Sequence, residues 1–333
     1  MARTSKMNMI MHGDGHGGVH HHDGFLNVNG IFEGRFDIIL TNPPFGANVE
    51  ASDVVHESDL TVTPDAAKRY TEEYGELYVA AQARTHAAIG KSITSLFELP
   101  KGLGNEKSQA KRLETIKIKT EILFIERCLS LLKPGGRLGI VLPEGIFNNP
   151  SLAYVREFCE NRAFIRAVVS LPQETFFSSG ASVKASLLFM KKFTEKEQSE
   201  FDAKQAQALE EVTAKYASEV QAETDRLNAA IFTAKETRDA EKRKALQKEL
   251  ADYGKRMNDC VTAEARALLK NRFPYTIFLY EAEKVGITAT GEQDQNELYP
   301  NDNLPPGITQ TSVELYRAFK QDPTPFFIGE TAK

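Results

Sequence analysis

Long apolar runs are missing from this chain. No stretch of eighteen apolar residues occurs among its 333, which argues against a membrane-spanning helix. The opening MARTSKMNMIMHGDG lacks the basic region, apolar core and small-residue cleavage site of a signal peptide. The chain therefore reads as soluble and cytoplasmic, with no membrane partner. Cysteine is scarce: Cys128, Cys159 and Cys260 are widely spaced and form no CxxC pair. That pattern suits a reducing compartment, argues against a zinc site and leaves the three as packing residues. Charge of one sign is lacking too. With 41 basic and 46 acidic residues the net charge is −5, so there is no global nucleic-acid signature, and any DNA contact has to use a local patch or a partner.

Proline is absent from residues 195–272, and its absence marks the middle of three regions. Residues 1–193 hold FDIILT, GGRLGIVLP, FIRAVVSLP and ASLLFMKK, short apolar runs bounded by Gly and Pro and separated by helical patterns. This alternation predicts an α/β fold with a mostly parallel sheet. Residues 194–272 are rich in Ala, Glu, Lys, Gln and Arg. Leu209, Val212, Tyr216, Val220, Leu227 and Ile231 recur there at helical or heptad-like spacing, as do Leu246, Leu250, Tyr253, Met257 and Val261, predicting a long helix pair or coiled coil. Residues 273–333 open with FPYTIFLYEAEKVG, one more strand, and continue as a polar, Pro-rich tail with a helical patch, SVELYRAFK, expected to pack loosely.

One boundary is unusual. The run FDIILT ends in Asn42-Pro43-Pro44-Phe45-Gly46. Carboxyl ends of parallel strands face the crevice where α/β proteins bind ligands, and proline there stops the chain from continuing as strand or helix. The Asn42 amide oxygen and the Pro43 carbonyl are then positioned to accept the two protons of an exocyclic amino group, while Phe45 offers a face to a planar base. An amine held this way loses conjugation with its ring and becomes a better nucleophile toward an electrophilic methyl. A plain turn after a core strand has the same local sequence, so the tetrapeptide alone leaves both readings open. No cysteine lies at this strand end, which excludes the covalent route used for methylating cytosine C5.

Three further motifs carry a resemblance: LLKPGGRLGIVLPEGIF, FIRAVVSLPQETFF and SSGASVKASLLFMKK. Together with NPPF they resemble the N6-adenine DNA methyltransferases, in particular the M (modification) subunits of type I restriction-modification systems. The resemblance covers residues 1 to about 192 well and 273 to 300 fairly well. It implies a partial Rossmann-like, S-adenosylmethionine-dependent methyltransferase sheet in which FDIILT is the fourth strand, GRLGIVLP the fifth, IRAVVSLP the sixth and KASLLFMKK the antiparallel seventh. The helical region then becomes an insertion that must return, a hairpin with its turn near residues 233–242.

The resemblance also assigns roles. Catalysis falls to Asn42, Pro43, Pro44 and Phe45. Upstream, KMNMIMHGDGHGGVHHHDGFL is similar to the family's helix and third strand, which makes Asp23 the acceptor for the cofactor's adenine, with Phe25 and Leu26 as apolar walls. His16, His20, His21 and His22 are not expected to bind metal, because a glycine-interrupted loop lacks a fixed geometry. GDGHGG is not a phosphate loop either, since no strand precedes it. The family's first two strands, its glycine-rich cofactor loop and its N-terminal helical domain have no counterpart in this sequence, which implies a truncated subunit, inactive unless another polypeptide supplies that half. The implied partners are duplex DNA with a flipped adenine, a specificity subunit docked on the helical insertion, and a restriction subunit. The alternatives are a non-catalytic assembly fragment, or an enzyme methylating amino groups of RNA bases or of protein glutamine.

Overall fold

The computed structural model describes residues 2–14, 18–60, 62–102, 106–180 and 182–327. Residues 2–193 and 276–327 form one compact unit and residues 194–275 a second. In chain order the helices are α1 Ala2–Met11, α2 Pro64–Tyr74, α3 Glu76–His86, α4 Glu106–Leu113, α5 Thr120–Leu131, α6 Gly145–Asn148, α7 Ala153–Glu160, α8 Glu195–Glu236, α9 Ala240–Arg272 and α10 Ser312–Gln321. The strands are β1 Phe36–Thr41, β2 Asn48–Glu50, β3 Lys117–Lys119, β4 Leu132–Pro143, β5 Ala163–Ser170, β6 Ala185–Lys192, β7 Phe278–Glu281, β8 Val285–Ile287 and β9 Gln293–Asn296.

The main sheet has the order β1-β4-β6-β5-β7. β1 runs parallel to β4 and β5 parallel to β7, while β6 is antiparallel to both its neighbours. One face is built from Leu138, Ile140, Leu142, Leu188 and Met190, which join Ile122, Leu123, Ile125 and Leu129 of α5 and Val155 and Phe158 of α7 in the principal core. The period-two pattern of a strand lets every second side chain enter that core. Between Leu132 and Arg137 the register against β1 shifts. Lys133-Pro134-Gly135-Gly136 forms this irregularity, and Gly135 takes the left-handed φ of 79° that a side chain would resist. Gly139 serves close packing, since a Cβ there would lie 2.7 Å from Leu40 Cδ2.

β1 is an edge strand, and its second face is uncovered: Ile38 is 52% and Leu40 77% exposed. FDIILT reads in the sequence as a buried strand, yet only one side of it is covered. The expected third strand differs more. Among the described residues, 19–35 contain no strand, only an isolated bridge between Val28 and Ile31. Glycines at positions 18, 24, 30 and 34 favour turns over extended pairing, and the segment forms no ladder with β1.

The C-terminal tail is fastened, contrary to its expected looseness. Phe319 of α10 packs on Phe278 at 5.5 Å between ring centroids. The buried carboxylate of Glu297 accepts from the Tyr280 hydroxyl at 2.7 Å and from the backbone of Lys284 at 2.7 Å. Cys128 and Cys159 are buried, and burial pushes each thiol up to about 12, so both are inert packing groups. Cys260, expected to pack, is exposed instead.

The second unit is an antiparallel helix pair. Thr194 and Glu197 form a reciprocal capping box that starts α8. Asp239 caps α9 by accepting from Lys242 N at 2.9 Å. Ala208, Val212, Leu227 and Ala234 are buried between the helices with Ala265 and Leu269. Among the described residues, no helix is long and apolar enough to cross a membrane.

Candidate active site

β1 delivers its last residue beside Ile140 of β4, and the chain then leaves the sheet through Asn42-Pro43-Pro44-Phe45. Asn42 and Pro44 are exposed, Pro43 is buried and Phe45 half-buried. Gly46 turns the chain with a left-handed φ of 80°. Three contacts fasten this turn to the start of α5. The buried Glu121 accepts from Gly46 N at 3.2 Å, Lys119 Nζ donates to Gly46 O at 2.9 Å, and Thr120 N donates to Ala47 O at 3.0 Å. Among the described residues, the Asn42 side chain and the Pro43 carbonyl have no hydrogen-bond partner. Two acceptors are thus held at the carboxyl end of β1 with no partner among the described residues.

A second carboxylate stands at the same end of the sheet. Glu144, directly after β4, accepts from the buried Ser186 Oγ at 2.7 Å, and its backbone N–H donates to Lys184 O at 2.9 Å. The pair joins the motifs LPEGIF and SVKAS. At the carboxyl ends of β5 and β7, a separate open cleft of about 700 Å³ is lined by Glu174, Glu281, Glu283 and Lys184. Its acidic lining disfavours phosphate.

The upstream candidates divide. Asp23 is exposed, and its Oδ1 accepts from Phe25 N at 2.8 Å, the short bond of an Asx turn. Phe25 and Leu26 point the other way. Leu26 is 0% exposed, and the Phe25 ring packs on Phe97 and Phe124 at 5.6 and 4.6 Å between centroids. Both are core residues, so they form no open apolar wall. His22 has both ring nitrogens shielded and without a hydrogen-bond partner, and burial lowers its pKa, which keeps it neutral. Among the described residues no group of His, Cys, Asp or Glu is placed to hold a metal ion, and His16 lies outside them.

Arg127 of α5 organises the turn that follows Asp23. Its guanidinium donates to Gly24 O at 3.0 Å, Asn27 Oδ1 at 2.8 Å and Leu26 O at 2.6 Å. Burial lowers its pKa to about 10, which leaves it charged at neutral pH. Asn27 in turn donates to Ala81 O of α3 at 3.0 Å. Glu121 and Arg127 are six residues apart on one helix, roughly 9 Å along its axis, so α5 anchors both candidate segments. Sequence reading missed these two residues. The available signal was their charge inside the apolar run TEILFIERCLSLL, where buried ionic groups have to be paired. Glu126 in the same run accepts from Glu98 N and Leu99 N at 2.6 and 2.9 Å, while burial raises its pKa.

The profile of the family N-6 DNA Methylase matches residues 1–81 and 104–262, most of the chain, including β1, the Asn42 turn, α5 and β4. The chain belongs to the N-6 DNA methylase family. Solved structures similar to this chain include the M protein of the type I restriction enzyme EcoKI, at 19% identity and a TM-score of 0.32, with 59% of this chain and 30% of that one covered. A modification subunit assigned to a type I restriction enzyme of Vibrio vulnificus YJ016 is similar at 18% identity and a TM-score of 0.31, with 59% and 36% covered. A type I R-M system structure is similar at 23% identity and a TM-score of 0.33, with 56% and 27% covered. The chain spans about a third of the length of these structures. No curated protein matches it.

S-adenosylmethionine is the cofactor of the N-6 DNA methylases. The donor set here suits part of that molecule. Asp23 retains a second carboxylate oxygen for an amino group, since only Oδ1 is engaged in the turn. Among the described residues, no positive group is hydrogen-bonded to the Asn42 turn except Lys119, which donates to Gly46 O.

Proposed function

We propose that this chain carries the target-amine half of a DNA methyltransferase acting on the N6 amino group of adenine, as an M-type subunit of a type I restriction-modification assembly. The observation that carries this reading is the pair of acceptors, Asn42 Oδ1 and Pro43 O, left free at the carboxyl end of β1 beside a half-exposed Phe45. When bound, S-adenosylmethionine supplies an electrophilic methyl group. Asn42 and Pro43 accept the two protons of the amine, turning its lone pair out of the base plane. Phe45 stacks on the base, which has to leave the duplex to reach a strand end. Glu121 and Lys119 hold the Gly46 turn, so the acceptors stay fixed without reorganising. Positioning of this kind supplies much of the rate in a transfer that needs no covalent enzyme intermediate.

Asp23 is the proposed acceptor for the cofactor's adenine amino group. Asp23→Ala is expected to weaken S-adenosylmethionine binding about tenfold, the worth of one hydrogen bond to a charged acceptor. Titration calorimetry of the assembled enzyme measures it. Unchanged affinity leaves Asp23 as a turn residue only.

The uncovered edge and face of β1 support assembly. An unpaired strand edge carrying Ile38 and Leu40 invites pairing with another strand, and a strand supplied by a further segment of polypeptide completes the sheet. The helical pair is the proposed docking arm for a specificity subunit. The test is co-purification with the neighbouring gene products, followed by transfer of a labelled methyl group to duplex DNA, RNA and protein. Label in N6-methyladenine from the assembly, and none from the isolated chain, is the expected result. Label in RNA or glutamine refutes the substrate, and full activity of the isolated chain refutes the assembly.

A further inference from the structure

The helix pair segregates charge along its length. Between Lys235 and Lys248 six basic residues accompany three acidic ones, a local charge of +3 in a chain whose net charge is −5. These residues surround the turn at Thr237–Asp239, where Arg238 adopts a left-handed φ of 55°. Further along the hairpin, cations bridge the two helices: Lys215 with Glu264 at 2.5 Å, and Arg272 with Glu211 at 2.5 Å. At the turn this pairing stops. Among the described residues, Lys235, Arg238, Lys242, Arg243, Lys244 and Lys248 have no acceptor for their charged groups, and all six are exposed. Of the three acids, Asp239 is occupied in capping α9.

Lys235 lies in the last turn of α8, where the dipole favours a cation, but local stability does not account for the cations that open α9. Lys242, Arg243 and Lys244 fall within the first two turns of α9, the end where the helix dipole is positive and disfavours cations. Mutual repulsion adds to that cost. Lys244 and Lys248 are four residues apart and share the face opposite Leu246 and Leu250, whose half-buried side chains pack toward α8. Lys244 and Lys248 are therefore turned outward, while Arg243, on the line of the apolar stripe, is exposed beyond its end. A disfavoured, unpaired and outward cluster of this kind gains stability only when a polyanion arrives.

We infer that the tip of the α8/α9 hairpin is a sequence-independent contact for the phosphate backbone of duplex DNA. The choice of DNA as the polyanion rests on the function proposed above; the existence of the contact rests on the charge arrangement alone. Duplex DNA presents one negative charge per roughly 1.7 Å of axis, so several cations on one tip can engage it together, with no base readout.

The experiment uses the full chain and a short labelled duplex of arbitrary sequence, followed by fluorescence anisotropy over a range of salt concentrations. Each lost phosphate contact lowers the slope of log K against log salt by about 0.9. The double variant Arg243→Glu, Lys244→Glu is expected to lower that slope by about 2 and the affinity at least tenfold at about 0.1 M salt. Circular dichroism is expected to show unchanged helix content. A control with the same charge change outside the tip, Lys196→Glu with Lys270→Glu, is expected to bind as the parent does. Equal losses in both variants, an unchanged slope in the tip variant, or no binding by the parent at low salt overturns the inference. Tighter binding of the parent to polyglutamate than to DNA overturns it in favour of an acidic protein partner. Asn42→Ala keeps the parental slope, so failure of methyl transfer and failure of the tip contact are read separately.

Discussion

Asn42→Ala is expected to lower methyl transfer by about 10³-fold in the assembled enzyme, with DNA binding and folding unchanged. The magnitude is that of removing one preorganised polar group aimed at the reacting centre. Two features of the site make the variant clean. The Asn42 side chain is exposed and bonded to no described residue, so its loss opens no cavity and strands no buried donor. The turn after it is held independently, through Gly46 and Ala47 to Lys119, Thr120 and Glu121, so Pro43 and Phe45 keep their places. What is lost is one of the two proposed acceptors for the amine, and with it the geometry proposed to free the lone pair. Single-turnover transfer of labelled methyl, measured alongside DNA binding and the thermal midpoint, checks the prediction. A variant with parental rate removes Asn42 from the chemistry. A slow variant with a falling thermal midpoint assigns it a structural role instead.

The sheet was legible because its strands are short apolar runs closed by Gly and Pro, and because alternate residues such as Leu138, Ile140 and Leu142 meet one core. The Asn-Pro-Pro-Phe turn was legible for a related reason, as prolines at a strand end have few structural uses. What stayed hidden depends on distant partners. Phe25 and Leu26 look like ligand walls beside Asp23, and only the location of Phe97 and Phe124 turns them inward. Ile38 and Leu40 look buried, and only the uncovered second face of β1 exposes them. The polar tail concealed Glu297, whose buried carboxylate accepts from the backbone of Glu283 and Lys284, a bond set that no local pattern announces. The tip of the hairpin was visible as an interruption of the apolar stripe. Its charge was not, because a net charge of −5 averages a positive tip into an acidic chain.

Arg127→Met is expected to destabilise the sheet-bearing unit by about 3–5 kcal/mol, the cost of stranding several acceptors of one turn that a single buried donor group now serves. Methionine nearly fills the volume but donates nothing. Gly24 O, Leu26 O and Asn27 Oδ1 would lose the donors that now lie at 2.6 to 3.0 Å, and each buried acceptor left alone costs about 1–3 kcal/mol. Arg127→Lys keeps the charge but cannot span three acceptors with one ammonium, so roughly half the loss is expected. Because the helix pair forms a separate compact unit, a single global melting curve mixes two transitions. Hydrogen exchange resolves them: amides of Leu26, Val28 and α5 are expected to lose protection while those of α8 and α9 keep it. The same variant loosens the turn behind Asp23, so it is expected to weaken S-adenosylmethionine binding even where the sheet remains folded. Parental protection at Leu26 and Val28 would show that Asn27, through its bond to Ala81 O, suffices to hold the turn. The two anchors of α5 would then be separable, with Glu121 fixing the amine site and Arg127 dispensable.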